Sequence, residues 1–211
     1  MMERLVCVAI GYLFGLFQTA YIYGKLHGID IRNYGSGNAG TTNTLRVLGT
    51  KAGLIVLAGD ILKCILAIAA VRLLFAGGVH EDMYYLLAMY AALGAILGHD
   101  YPFYLGFKGG KGVLVGAGAA LATEPLVCAV LLGIFLIEVA VTRIVSLGSI
   151  IIAALYPVGT LINLIARGAN AATIVFSTVC CVIMAAMVIW LHRSNIERLK
   201  NGTEYRFGQK K

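Results

Sequence analysis

The sequence predicts an all-α integral membrane protein, a polytopic bundle of about seven transmembrane helices with the N-terminus outside and the C-terminus cytoplasmic. Composition is the first observation behind this: 60% of residues are hydrophobic, 13% are charged and mean hydropathy is +0.86. An ordinary soluble domain carries about a quarter charged residues. Second, apolar stretches recur at 5–23, 52–77, 126–142 and 171–191, and about 20 apolar residues cross roughly 30 Å of hydrocarbon. Third, 13 of the 17 Lys and Arg residues fall in the segments 25–51, 99–112, 143–148 and 192–211. Loops rich in these residues stay in the cytoplasm.

Helices are expected near 3–24, 52–76, 83–98, 112–123, 125–142, 149–167 and 171–191, in a single membrane domain covering 1–211. The first opens with Glu3 and Arg4 and runs into an apolar stretch too long for a signal-peptide core, with no small-residue cleavage site, so it reads as a retained helix. The fourth is short enough to span only by tilting or not at all, and in the latter case the parity of the termini changes. Arg4, Arg72 and Arg167 fall near the outer face, and the turn Gly77–Asp82 carries only acids and a histidine. Within the second helix, Asp60 and Lys63 stand three apart on one face and are expected to pair. Glu138 has no evident partner, so it either faces a site or is protonated. Spacings such as Gly94–Gly98 and Gly112–Gly116 mark close helix packing. The five cysteines all lie in apolar segments without a CxxC pair, so neither a disulfide framework nor a metal site is expected.

Polar residues gather in three clusters at Tyr34–Arg46, His99–Gly112 and His192–Glu204, all on the side the charge bias makes cytoplasmic. One composite site is favoured over three unrelated loops. In the first cluster Gly35, Gly37 and Gly40 match GxGxxG, with Asp60 twenty residues beyond Gly40. A membrane helix precedes it where the dinucleotide fingerprint needs a strand, so that match is a decoy. What survives is local physics: glycines let backbone N–H groups approach an anion, and hydroxyls, amides and Arg46 complete a cradle, a reading favoured over a plain glycine-rich turn capping a helix at Thr41 or Thr42. The second cluster lacks the hydroxyl of a Walker A loop after Lys111. Lys108, Lys111 and a run of free backbone amides before a helix still make a phosphate site. His99 reads as a general base or as a buried histidine orienting Asp100 or Tyr101. The third cluster reads either as a basic tail on anionic lipid or, given Asn195 and Glu204, as part of the site.

Together the three clusters resemble the acyl-phosphate-dependent glycerol-3-phosphate acyltransferases of bacteria, the PlsY type. Ser36-Gly-Asn-Ala-Gly-Thr-Thr-Asn43 with Arg46, His99 through Gly112, and Arg193 with Asn195 through Glu204 carry the resemblance, which covers essentially the whole chain. It implies transfer of an acyl group from acyl phosphate to glycerol 3-phosphate, giving lysophosphatidic acid and phosphate, with no metal, cofactor or coenzyme A. It also implies a multi-pass protein of the bacterial inner membrane with its active site facing the cytoplasm. By analogy with the family, Lys108, Gly109, Gly110 and Lys111 take the glycerol-phosphate end. Ser36, Gly37, Asn38, Gly40, Thr41, Asn43 and Arg46 hold the acyl phosphate and the oxyanion. Asn195 and Glu204, with Arg193 in the same tail, brace the site, and Ser146 beside Arg143 adds a hydroxyl. Ser36 is favoured as ligand over nucleophile, because no base beside it is identifiable; the substrate's phosphate or His99 would take the proton. The expected partners are the two substrates and the bilayer, with no nucleic acid; protein partners and oligomeric state are left open, a monomer being one reading. The rival reading is a transporter of a phosphorylated solute, but that would place basic residues and helix breaks near mid-membrane in related halves, and no internal repeat is visible.

Overall fold

The computed structural model describes residues 2–75 and 81–208. Every regular element among them is helical: α1 (Met2–Gly15), α2 (Thr19–Leu26), α3 (Thr41–Leu48), α4 (Thr50–Leu74), α5 (Glu81–Asp100), α6 (Val113–Thr123), α7 (Pro125–Thr142), α8 (Val145–Ala166), α9 (Ala171–Leu191) and α10 (Arg193–Lys200). Short 3-10 turns cover Ile31–Asn33 and Phe103–Leu105. Five segments are long and apolar enough to cross a membrane: Met2–Leu26, Thr50–Leu74, Pro125–Thr142, Val145–Ala166 and Ala171–Leu191. The 20 residues of α5 rise about 30 Å, enough for a further crossing. The 11 residues of α6 rise only about 16 Å, half the hydrocarbon thickness, too short to span upright. Most of the acidic turn expected at Gly77–Asp82 lies outside the described residues.

The chain packs as two compact units, Met1–Thr123 and Glu124–Lys211. Pro125 at the first position of α7 marks the boundary, since it cannot continue α6.

The first unit is organised around α5, whose Leu87, Ala88, Met89, Ala91, Ala92 and Ala95 are wholly buried. Helix α1 packs against it through glycines on both sides. A Cβ on Gly11 or Gly15 would strike the carbonyls of Ala91 or Ala95, and one on Gly94 or Gly98 those of Val8 or Tyr12. The Gly94–Gly98 spacing thus does the packing expected of it, with Gly11–Gly15 as its counterpart. On α6 the tight contact falls on Gly118, where a Cβ would come within 2.6 Å of the Ile61 carbonyl; Gly116 has only Ile96 Cδ1, at 3.8 Å.

The helix predicted over 3–24 is two helices, broken at Leu16–Gln18. A broken turn in hydrocarbon must find new donors for its carbonyls, and three side chains supply them. Gln18 Nε2 donates to Gly15 O at 3.2 Å, Tyr104 Oη to Leu16 O at 2.6 Å, and Lys63 Nζ to Phe17 O at 3.0 Å. The segment 25–51, read as a loop, contains α3; Gly49, at φ +86°, separates it from α4.

In the second unit α7 lies along α8 and α8 along α9. Glu124, buried at the start of α7, accepts from Thr160 Oγ1 at 2.7 Å and Asn163 Nδ2 at 2.8 Å. Asn170 caps α9 by accepting from Thr173 N at 2.9 Å. Glu138 has a partner one turn on, since Thr142 Oγ1 donates to it at 2.6 Å. The tail expected over 192–211 contains α10.

Candidate functional site

In the first unit, the chain leaving α2 is shaped by Asp30. Its Oδ1 accepts from Arg32 N at 3.1 Å and Arg32 Nε at 3.0 Å, and its Oδ2 accepts from Arg32 Nη2 at 2.8 Å. The Arg32 side-chain hydrogen bond holds the Asp30 carboxyl down at about 2, against the opposing pull of burial. Arg32 Nη1 then reaches Leu105 O at 3.1 Å. That bond joins the serine-bearing loop of the first cluster to the loop of the second.

Ser36 sits at an exposed bend between Gly35 (φ +60°) and Gly37 (φ +73°). The bend is organised by Asn43, which is 1% exposed. Its Oδ1 accepts from Ser36 N at 2.8 Å, and its Nδ2 donates to Ile31 O at 3.2 Å and Tyr34 O at 3.0 Å. A Cβ at Gly35 would strike that amide oxygen. Asn43, read from the sequence as a substrate ligand, therefore uses both ends of its amide on the loop that presents Ser36. Gly40 caps α3 with no side chain to offer its first-turn N–H groups, and Asn38 lies against it, its Nδ2 2.8 Å from where a Cβ would stand. The Thr41 hydroxyl is buried and has no hydrogen-bond partner among the described residues. Arg46 is exposed in the last turn of α3.

The second loop hangs on the end of α5. Gly109 N donates to Asp100 O and Gly110 N to His99 O, both at 3.0 Å, so two of the amides expected to be free for an anion instead fix the loop. Gln18 Nε2 also donates to His99 O, at 3.0 Å. Lys108 projects from this turn exposed, and Lys111 is half-buried. The loop enters it through Gly106 (φ +64°) and Phe107 (φ +59°), and Phe107 N bonds back to Pro102 O at 3.0 Å. His99 is buried, and it is oriented neither on Asp100 nor on Tyr101: its Nδ1 lies 2.6 Å from Lys63 Nζ. Asp60 and Lys63 pair as expected, at 2.9 Å.

In the second unit Glu204 gathers the third cluster. Its Oε1 accepts from Ser146 Oγ at 2.8 Å and Asn195 Nδ2 at 2.7 Å, and its Oε2 from Arg198 Nε at 2.6 Å. Burial opposes ionisation of this carboxyl. The three hydrogen bonds win and hold it below the usual glutamate range. Phe207 N closes the tail onto Arg143 O at 2.6 Å. Arg193 is exposed with its guanidinium 5.3 Å from the centroid of the Trp190 ring.

Within each unit, sequence reasoning named several of the residues that come together but not all of those that position them. Gln18, Asp30 and Arg32 carry no local signal beyond being polar, while Arg198 and buried His192, whose Nδ1 lies 2.7 Å from Val188 O, lie inside the third cluster but were assigned no individual role.

A family model described as glycerol-3-phosphate acyltransferase matches residues 5–202. A glycerol-3-phosphate acyltransferase of Clostridioides difficile is 40% identical over 213 residues, covering 98% of this chain and 97% of the relative. One of Exiguobacterium sibiricum is 41% identical, covering 99% and 95%. Among solved structures, crystal structures of PlsY, an integral membrane glycerol 3-phosphate acyltransferase, match at 33% identity. Its glycerol 3-phosphate form gives a TM-score of 0.80 over 97% of this chain and 96% of that one; its lysophosphatidic acid form gives 0.79 over 97% and 95%.

Proposed function

The chain belongs to the glycerol-3-phosphate acyltransferase family, and we propose that it transfers a fatty acyl group from an acyl phosphate to the 1-hydroxyl of glycerol 3-phosphate. The products are lysophosphatidic acid and inorganic phosphate. The reaction takes place at the bacterial cytoplasmic membrane, with the polar clusters facing the cytoplasm. Membership sets aside the transporter reading.

The observation that supports this best is the pair of loops bridged by Arg32. One presents Ser36 and the start of α3; the other presents Lys108 and Lys111 on a glycine turn. An acyl phosphate is a mixed anhydride with a good leaving group, so the enzyme has mainly to bring two anions together and stabilise a tetrahedral oxyanion. Lys108 and Lys111 take the phosphate of glycerol 3-phosphate, on the turn fixed by Gly109 and Gly110. Ser36, Gly37, Asn38, Gly40, Thr41 and Arg46 take the acyl phosphate, and Asn43 acts through the shape of the Ser36 loop. Within the second unit Glu204 holds Ser146 and Asn195, which with exposed Arg193 are the residues that the family resemblance assigns to the same reaction. The glycerol oxygen attacks the acyl carbon, the bond from that carbon to the phosphate oxygen breaks, and phosphate leaves with the electron pair. The hydroxyl proton passes to phosphate, so no protein base and no acyl-enzyme is needed. The acyl chain lies among the apolar helices, entering from the bilayer.

Incubating the purified protein in lipid with palmitoyl phosphate and labelled glycerol 3-phosphate tests this. Lysophosphatidic acid and phosphate are expected in equal amounts, with no acylated protein by intact mass when glycerol 3-phosphate is withheld. A stable acyl adduct on Ser36 would instead make that residue the nucleophile.

A further inference from the structure

The ammonium of Lys63, inside the apolar helix α4, carries three N–H donors. Three acceptors surround it: Asp60 Oδ1 at 2.9 Å, Phe17 O at 3.0 Å and His99 Nδ1 at 2.6 Å. Asp60, Lys63 and His99 are all buried. Each donor thus has one acceptor, and the count gives Nδ1 of His99 the role of acceptor, since a ring nitrogen that bears a proton cannot receive another. A neutral imidazole accepting through Nδ1 carries its own proton on Nε2. That Nε2 has no hydrogen-bond partner among the described residues, and it is the first atom that a Cβ on Gly110 would strike. The ring's donor edge therefore lies against the backbone of the glycine turn, while the His99 carbonyl holds Gly110 N at 3.0 Å. Asp60 Oδ1 also lies 3.9 Å from His99 Nδ1 and accepts from Thr19 Oγ1 at 3.4 Å.

We infer that Lys63 is a positioning residue for acyl transfer: it fixes His99 as the Nε2–H tautomer, so that the ring packs against the glycine turn in one orientation and does not act as the base. The Asp60–Lys63 pair then does more than neutralise itself within the membrane. It sets the hydrogen-bonding sense of a ring that lies against the Lys108–Lys111 turn. That this turn holds glycerol 3-phosphate rests on the function proposed above; the tautomer does not.

The test is the ring 15N spectrum of full-length protein labelled at histidine and held in lipid nanodiscs, with His99 assigned by comparison with His99→Gln. The expected wild-type signal is an unprotonated Nδ1 and a protonated Nε2. In Lys63→Met the ring should lose that fixed tautomer, and KM for glycerol 3-phosphate should rise about tenfold with a smaller change in kcat. A general loss of fold would instead lower the active fraction and leave KM in place. If Lys63→Met fails to fold, the double variant Asp60→Asn, Lys63→Met, which removes both charges, carries the same expectations. A wild-type ring protonated on Nδ1 or on both nitrogens would overturn the inference. So would a folded variant with tautomer and KM unchanged. Failure of the wild type to acylate glycerol 3-phosphate would sink the proposed function alone, leaving the tautomer to be decided by the spectrum.

Discussion

Asn43, read from the sequence as a ligand, holds the loop that presents Ser36: both N–H donors of its amide go to Ile31 O and Tyr34 O, and its oxygen accepts from Ser36 N. Asn43→Ala would leave buried backbone groups unpartnered, at about 1–3 kcal/mol for each one that water cannot reach. The expected result is a lower thermal midpoint together with lost activity. Lys108 is the contrasting case: it is exposed on the second loop. Lys108→Ala should raise KM for glycerol 3-phosphate about tenfold or more, equivalent to ~1.4 kcal/mol, while thermal unfolding in lipid stays unchanged. Glu204 adds a pH signature. Its carboxyl titrates lower in the folded protein than in the unfolded chain, so the stability it contributes is complete above the ordinary glutamate range. That stability disappears as pH falls through the lowered value. Thermal midpoints of the wild type and Glu204→Gln, compared from pH 7 downward, should converge on acidification; a gap that widened would contradict the Ser146–Asn195–Arg198 clasp.

At the scale of elements, α7 and α9 were legible to the residue, because Pro125 and the capping Asn170 punctuate the apolar runs. The break inside the first helix was not. Phe17 and Gln18 carry no proline or glycine signal, and the turn opens only because Gln18, Tyr104 and Lys63 supply donors from three places in the chain. Helix α3 was legible only as the less favoured reading of the first cluster, a glycine turn capping a helix at Thr41 or Thr42, because Thr-Thr-Asn-Thr has poor helix propensity, which tertiary packing overrides. The glycine contact between α1 and α5 was half legible, as Gly94–Gly98 without its counterpart. Gly94→Ala should lower the thermal midpoint, since the added carbon meets the Val8 carbonyl, whereas Gly133→Ala on α7, with nothing within 4 Å, should be neutral or slightly stabilising. Equal effects at the two sites would argue against backbone-to-backbone packing.

For the whole molecule, apolar run length and the distribution of Lys and Arg were enough to predict a helical membrane protein, because the bilayer constrains a chain so severely. They could not resolve α6, whose 11 residues fall between a span and a loop, nor the two compact units. The chemistry was legible because phosphate binding needs glycine, hydroxyl, amide and cation together, and such residues stand out in an apolar chain. The donor is the part of the account that sequence, fold and family membership leave to chemistry. The deciding measurement is acyl transfer to glycerol 3-phosphate by the purified protein in lipid, with palmitoyl phosphate and palmitoyl-CoA compared at equal concentration and no added metal. Lysophosphatidic acid from the acyl phosphate alone is the result this account predicts; product from the thioester alone would contradict it.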